Sequence, residues 1–214
     1  MTVYYDRAYP VNRHFGGYIL EFLFIANDRA LDFVNTSFTG GDVLTDFAAY
    51  VAWLHAASVL SAAEARSAAK FAGTAEARSA FRALTELRTA VRHSVEAINA
   101  DRLPSRADLK IVNERLVKPP LQLEIVSSGG KLLSNNRLTS TKPERLLFFV
   151  AAAAQELLTQ KDLTAIRQCA GDACTHFFYD ASKNRSRRWC SMAGCGNREK
   201  VAALRKRQRG RPGG

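Results

Sequence analysis

The chain has 214 residues, of which 47% are hydrophobic and 24% charged, with 13 glycines and 6 prolines. That balance excludes a collagen-like or wholly disordered chain, and the length excludes a large multidomain enzyme. Charge is uneven: residues 181–214 hold 11 Lys and Arg against the single acid Glu199, a net +10, while the other 180 residues hold 20 basic and 19 acidic side chains, a net +1. A nearly neutral body with a strongly cationic end points to a polyanion partner for that end, nucleic acid before anionic membrane.

In chain order, Tyr18 to Ala26 is rich in β-branched and aromatic residues behind a Gly16-Gly17 turn signal, which predicts a strand or two. The same stretch does not suit a cleaved export signal, because Glu21 interrupts it and Asn27-Asp28-Arg29 follows. No run reaches the roughly 18 apolar residues of a spanning helix, so a soluble, cytoplasmic protein without a membrane partner is expected. Ala30 to Thr36 begins a helix or ends a strand. From Asp42 the helical period sets in, with Phe47, Val51 and Leu54 on one stripe.

Ser61-Ala-Ala-Glu64 is a capping box, in which the hydroxyl and the carboxylate each meet an orphan amide, and it opens a short helix running to Gly73. Thr74 opens the longest helix, where Phe81, Leu84, Leu87, Val91, Val95 and Ile98 repeat every three or four residues up to Pro104. Ser105-Arg-Ala-Asp108 caps another helix, carrying Leu109, Val112 and Leu116, which Pro119-Pro120 ends. Leu121 to Val126 alternates as a half-buried strand does, Ser127 to Gly130 turns, and Lys131 to Ser134 returns. Pro143 suits a first helical position, and Glu144 to Leu158 is apolar enough for a helix buried on most sides. The fold class expected is mainly α with a small β element (α+β), divided into residues 1–162 and a small module over 163–214.

All the cysteines, Cys169, Cys174, Cys190 and Cys195, lie within 27 residues. Two close pairs separated by 15 residues have the layout of a four-thiolate zinc site, since each pair can wrap one edge of a tetrahedron. The readings set against it are two disulfides, incidental buried thiols, and His176 as a replacement ligand. His176-Phe-Phe-Tyr179 and Arg188-Trp189 flank a polar turn and are expected to pair as a hairpin that joins the two cysteine pairs. A module of about 45 residues has too little core to fold unaided, and one structural zinc ion supplies roughly 10–16 kcal/mol of apparent binding energy at neutral pH.

Beyond Gly196 a basic helix is expected, with Val201 and Leu204 turned toward the zinc site and Arg198, Lys200, Arg205, Lys206, Arg207 and Arg209 spread around the rest. With Lys183, Arg185, Arg187 and Arg188 in the preceding turn, these cations are the candidate phosphate contacts, and Asn197 and Arg198 have the chemistry to reach base edges. Double-stranded DNA is the expected partner. The second reading is an RNA- or ribosome-associated factor in which Phe177, Phe178, Tyr179 and Trp189 stack bases, although these rings more simply form the module's core. An enzyme is not expected, because His14, His55 and His93 are scattered and no phosphate-cradling glycine loop is present.

The run Arg167-Gln-Cys169, Cys174, Phe178-Tyr179-Asp180, Ser182, Asn184, Arg187-Arg188-Trp189-Cys190-Ser191-Met192, Cys195-Gly196-Asn197-Arg198 and Lys200 resembles the CGNR zinc-finger family. In that family the finger follows a larger helical domain called ABATE, associated with stress-induced transcription regulation. Gly16-Gly17 and Leu31-Asp-Phe-Val-Asn-Thr36 look like the start of that domain, and Tyr18 to Ala30 between them is longer than in a compact version. The resemblance implies that Cys169, Cys174, Cys190 and Cys195 are ligands, that the module is treble-clef-like, and that it binds DNA. It leaves open a small-molecule effector or a homodimer for the helical domain. Asp32, Asn35 and Thr36 are candidate pocket residues there, although polar residues beside Leu31 and Phe33 more often cap a helix or turn.

Overall fold

A computed structural model of the chain describes residues 11–15 and 18–209. Strands β1 (Val11–Phe15) and β2 (Tyr18–Phe22) pair antiparallel with Val11 opposite Phe22; the expected Gly16-Gly17 turn between them lies outside the described residues. Helix α1 (Arg29–Val34) follows, its start capped by Asp28, which accepts from the Leu31 amide. The two-residue strands β3 (Ser37–Phe38) and β4 (Gly41–Asp42) make a small corner that leads to α2 (Phe47–Ala56). Phe47, Val51 and Leu54 of the expected stripe are buried, and so are Tyr50 and Trp53, so α2 is covered well beyond one stripe. Its Tyr50 hydroxyl donates to the Leu146 carbonyl at 2.8 Å, which satisfies the one polar atom this ring takes inside.

The capping box at Ser61 forms with both reciprocal bonds and opens α3 (Ala62–Ala69). Thr74 caps α4 (Ala75–Asn99), the spine of the body, whose stripe of Leu84, Leu87, Val91 and Val95 is buried, with Phe81 and Ile98 partly buried at its ends. The helix stops at Asn99, short of Pro104, where Asp101 takes a left-handed backbone. Ser105 caps α5 (Arg106–Leu116), of which only Val112 is fully buried. The apolar run behind Pro143 breaks at Leu147 into α6 (Pro143–Leu146) and α7 (Phe148–Gln160), and α7 packs against α1 and α5.

One expectation fails in the body. Strands β5 (Leu121–Ser128) and β6 (Lys131–Leu138) do pair around Gly129-Gly130, both with positive φ as the tight turn requires, but the hairpin is not half-buried. Leu123, Ile125 and Leu132, on one face, are 77%, 79% and 77% exposed. Alternation marks a two-faced strand, and nothing local says whether a second layer exists to cover the apolar face.

The C-terminal module holds β7 (Ile166–Gln168), β8 (Phe177–Tyr179) and α8 (Asn197–Arg209). It is not a bead on a linker. The expected division after residue 162 falls at a short 3-10 turn capped by Asp162, and β7 and β8 lie directly against α4 and α1. Ile166, Phe177 and Phe178 join the same apolar core as Phe33 and Val91. Among the described residues no helix is long and apolar enough to cross a membrane.

Candidate metal centre and basic helix

Strand β7 ends at Gln168 and β8 begins at Phe177, so the first cysteine pair occupies the turn between two paired strands. This corrects the expected hairpin: β8 pairs with β7, and Arg188-Trp189 forms no strand, although the Arg188 carbonyl accepts from the Ala170 amide. The four-residue gap from Cys169 to Cys174 is closed by Cys174 N donating to Gly171 O and by Ala173 in a left-handed conformation. Gly171 is needed for close approach, since a Cβ there would stand 3.2 Å from Cys195 Cβ and 3.3 Å from its sulfur. The second pair comes from the other direction. Cys190 ends the loop after β8, and Cys195 sits in a helical turn, Met192–Gly196, that Ser191 caps and that runs straight into α8.

All four sulfurs lie within 4.8 Å of one another. A tetrahedron with metal–sulfur bonds of about 2.3 Å has edges of about 3.8 Å. The Cys174–Cys190 and Cys190–Cys195 sulfur separations are 3.8 and 3.6 Å. The cluster therefore fits one structural zinc ion, closed by four thiolates. His176 stands outside the cluster, its ring edge-on to Phe38 at 5.6 Å. Burial, with Cys169 and Cys195 alongside, pushes the Cys174 thiol up to about 11, and burial raises Cys190 further. Thiols in that state do not ionise at neutral pH unaided, so zinc uptake must displace protons and weakens as pH falls. N–H donors fit the charged form: Cys190 N donates to Cys169 Sγ at 3.3 Å and the Arg198 guanidinium to Cys195 Sγ at 2.9 Å.

The module is locked to the body by backbone bonds. Asn35 binds Phe177 both ways, its Nδ2 donating to the carbonyl at 2.8 Å and its Oδ1 accepting from the amide at 2.9 Å. Thr36 donates to Phe33 O and accepts from Arg88, which also pairs with Asp42. Asp32 is buried and uses one oxygen, Oδ1, to accept from the amides of Ile25 and Ala26, both at 2.9 Å. Burial pushes its carboxyl up to about 8, against those two amides, with Asp28 adding to the rise. The candidate pocket residues Asp32, Asn35 and Thr36 thus stand beneath the module with these polar atoms bonded within the chain. Arg92 of α4, which composition alone did not single out, reaches three carbonyls, of Val34, Ser37 and Thr175, and so clamps the helix end, the β3 corner and the metal loop together.

The candidate nucleic-acid residues divide. Arg187 is half-buried over the Phe178 ring at 4.2 Å and donates to the carbonyls of Ile25, Trp189 and Cys190, so it builds the loop. Asp180 completes that loop by accepting from Ser182 and from the Arg187 amide. Arg185 pairs with Asp162 at 2.8 Å, and Arg198 is drawn to the sulfur of Cys195. By contrast Lys183, Lys200, Arg205, Lys206 and Arg207 are exposed, with no ion-pair partner among the described residues; Arg188 is exposed over Trp189, and exposed Asn197 reaches the Ala193 carbonyl. The Arg209 backbone lies in the last turn of α8. Val201 and Leu204 are 46% and 55% exposed, so the module does not cover them, although Val201 borders the same groove as Cys174, Cys190 and Cys195. After its first turn α8 leaves the module, and one side of it borders this groove of about 1230 Å³, which also touches Leu23 and Phe38.

Residues 165–208 match the family model described as CGNR zinc finger. Residues 27–161, more than half of the chain, match the ABATE model, whose description reads "Putative stress-induced transcription regulator". A search of curated proteins found no match.

Proposed function

As the chain belongs to the ABATE family and ends in a CGNR zinc finger, we propose that it is a DNA-binding transcription regulator of the stress response, and not an enzyme. Its zinc module holds a basic helix against duplex DNA, and the body senses a signal or joins two copies of the chain. One observation carries this: α8 starts two residues after the ligand Cys195 and presents Lys200, Arg205, Lys206 and Arg207 to solvent, unpaired with any described acid. A cationic helix anchored at one end by a rigid centre is suited to phosphates; exposed Asn197 at its start has the chemistry to reach a base edge, and Arg198 would do so only by leaving the Cys195 sulfur.

The RNA reading needs exposed aromatic rings for stacking. Phe177 and Phe178 are 1% and 0% exposed and belong to the shared core, and Tyr179 and Trp189 are partly covered, which favours duplex DNA. Filter binding of the zinc-loaded chain to duplex DNA and to single-stranded RNA at equal salt tests the order. Tighter duplex binding is expected, and tighter RNA binding would overturn it.

A further inference from the structure

The four sulfurs do not share one environment. Cys169, Cys190 and Cys195 are buried, and Cys174 alone is part-exposed. Cys174, Cys190 and Cys195 all border the open groove beside α8, but of these Cys174 is the one not buried, whereas the Cys169 sulfur faces inward to the Cys190 amide. Two of the buried sulfurs are held by donors, Cys169 by that amide at 3.3 Å and Cys195 by Arg198 at 2.9 Å. Cys190 stands 3.8 Å from Cys174, sulfur to sulfur. Zinc-bound thiolates stay nucleophilic toward peroxides in proportion to their access and to the electron density that donors leave on sulfur.

We infer that Cys174 is the point at which a hydroperoxide enters the zinc centre, and that the Cys174–Cys190 disulfide is what it leaves. In the first step the Cys174 sulfur attacks one peroxide oxygen: an S–O bond forms, the O–O bond breaks, and the departing oxygen leaves as hydroxide or alkoxide and takes a proton from water. The Cys190 thiolate then attacks the sulfenic sulfur, an S–S bond forms and the S–O bond breaks, releasing a second hydroxide. Two thiolates have lost two electrons and the peroxide has gained them. With two of four ligands gone, the zinc ion leaves, and with it the base on which α8 stands. The consequence for DNA rests on the function proposed above, whereas the order in which the thiols react does not.

The full zinc-loaded chain is treated with limiting N-ethylmaleimide, and separately with one equivalent of hydrogen peroxide while a chromogenic chelator reports zinc. Cleavage before Asp172 and Asp180 and after Met192 separates all four cysteines for mass spectrometry. Cys174 is expected to be alkylated at least about tenfold faster than any other, as its access dictates. Peroxide is expected to give the Cys174–Cys190 disulfide in step with one released zinc per chain. Equal labelling of the four thiols, first labelling elsewhere, or zinc release with Cys174 still reduced would overturn the proposal. Cys174→His, which keeps a four-ligand shell of three Cys and one His, should hold zinc against peroxide about tenfold longer than the natural chain. If that variant does not retain zinc, the labelling order in the natural chain decides. Duplex binding that survives complete oxidation would contradict the function proposed above and leave the thiol order standing.

Discussion

The two halves of the C-terminal module are built on opposite terms. Its metal half is fastened to the body at every level, by the Asn35–Phe177 bond pair across 142 residues, by Arg187 on Ile25, and by Phe177 and Phe178 in the common core. Among the described residues, its helical half is tied down only through its first turn, where Arg198 meets the Cys195 sulfur and Glu199 accepts from the Asp172 amide at 3.0 Å, and residues 201–208 are all exposed. The contrast separates two kinds of arginine that composition counts alike: those that hold the platform and those that the platform holds out. It also makes the body part of the metal site's foundation, so a change in α1 has a direct route to β8.

The comparison breaks most completely if the metal is taken away. Structural zinc contributes roughly 10–16 kcal/mol, so chelation, or Cys190→Ser, is expected to abolish amide protection at Phe177 and Tyr179 while α4 near Val91 stays protected. Hydrogen exchange reads this, and unchanged protection at β8 would mean the fold does not need the ion. Next in size, Asn35→Ala leaves a buried amide and a buried carbonyl of Phe177 without partners. That should cost about 2–4 kcal/mol in thermal unfolding, and Arg187→Gln about 1.5–3 kcal/mol through its lost carbonyl bonds.

A smaller effect sharpens the picture beneath the module. Asp32 titrates at about 8 in the folded chain against 3.8 unfolded, so the folded state binds the extra proton between these values. Stability is therefore expected to fall as pH rises from about 4 to 8, by at most roughly 1.4 kcal/mol per pH unit for one proton. Asp32→Asn keeps an oxygen for both amides and removes the titration, so its melting profile should be flatter over that range. A variant that tracks the natural chain across the range would show that Asp32 does not titrate there. The smallest effect on stability belongs to the free half. Changing Arg205, Lys206 and Arg207 together to Gln should shift stability by no more than about 0.5 kcal/mol each. The same change should lower the slope of log affinity for duplex against log salt by about 3.

What could be read beforehand follows the range of the interactions. The cysteine layout, the Ser61 capping box and the stripe of α4 are local patterns, and each formed where its spacing placed it. Polar residues in Leu31–Thr36 were visible as candidates, but their partners are up to 142 residues away, and no local period reports a bond between an Asn side chain and a distant strand. The exposed face of the β5–β6 hairpin and the exposure of Val201 and Leu204 have the same cause: amphipathic spacing says which face is apolar, and only the surrounding layers decide whether it is covered. The sorting of Arg187 from Arg205 was hidden because a charge is written the same way over a phenylalanine ring as in solvent.

The central question is whether the metal-held platform makes the basic helix a DNA ligand. The direct measurement is the affinity of one protein sample for a mixed-sequence duplex, taken zinc-loaded, then stripped by chelator, then reloaded. Loss of at least about a hundredfold on stripping and recovery on reloading is the expected result, given a centre worth several kcal/mol to the fold. Equal affinity in all three states would mean that the charge of the tail alone binds DNA, and would contradict the account.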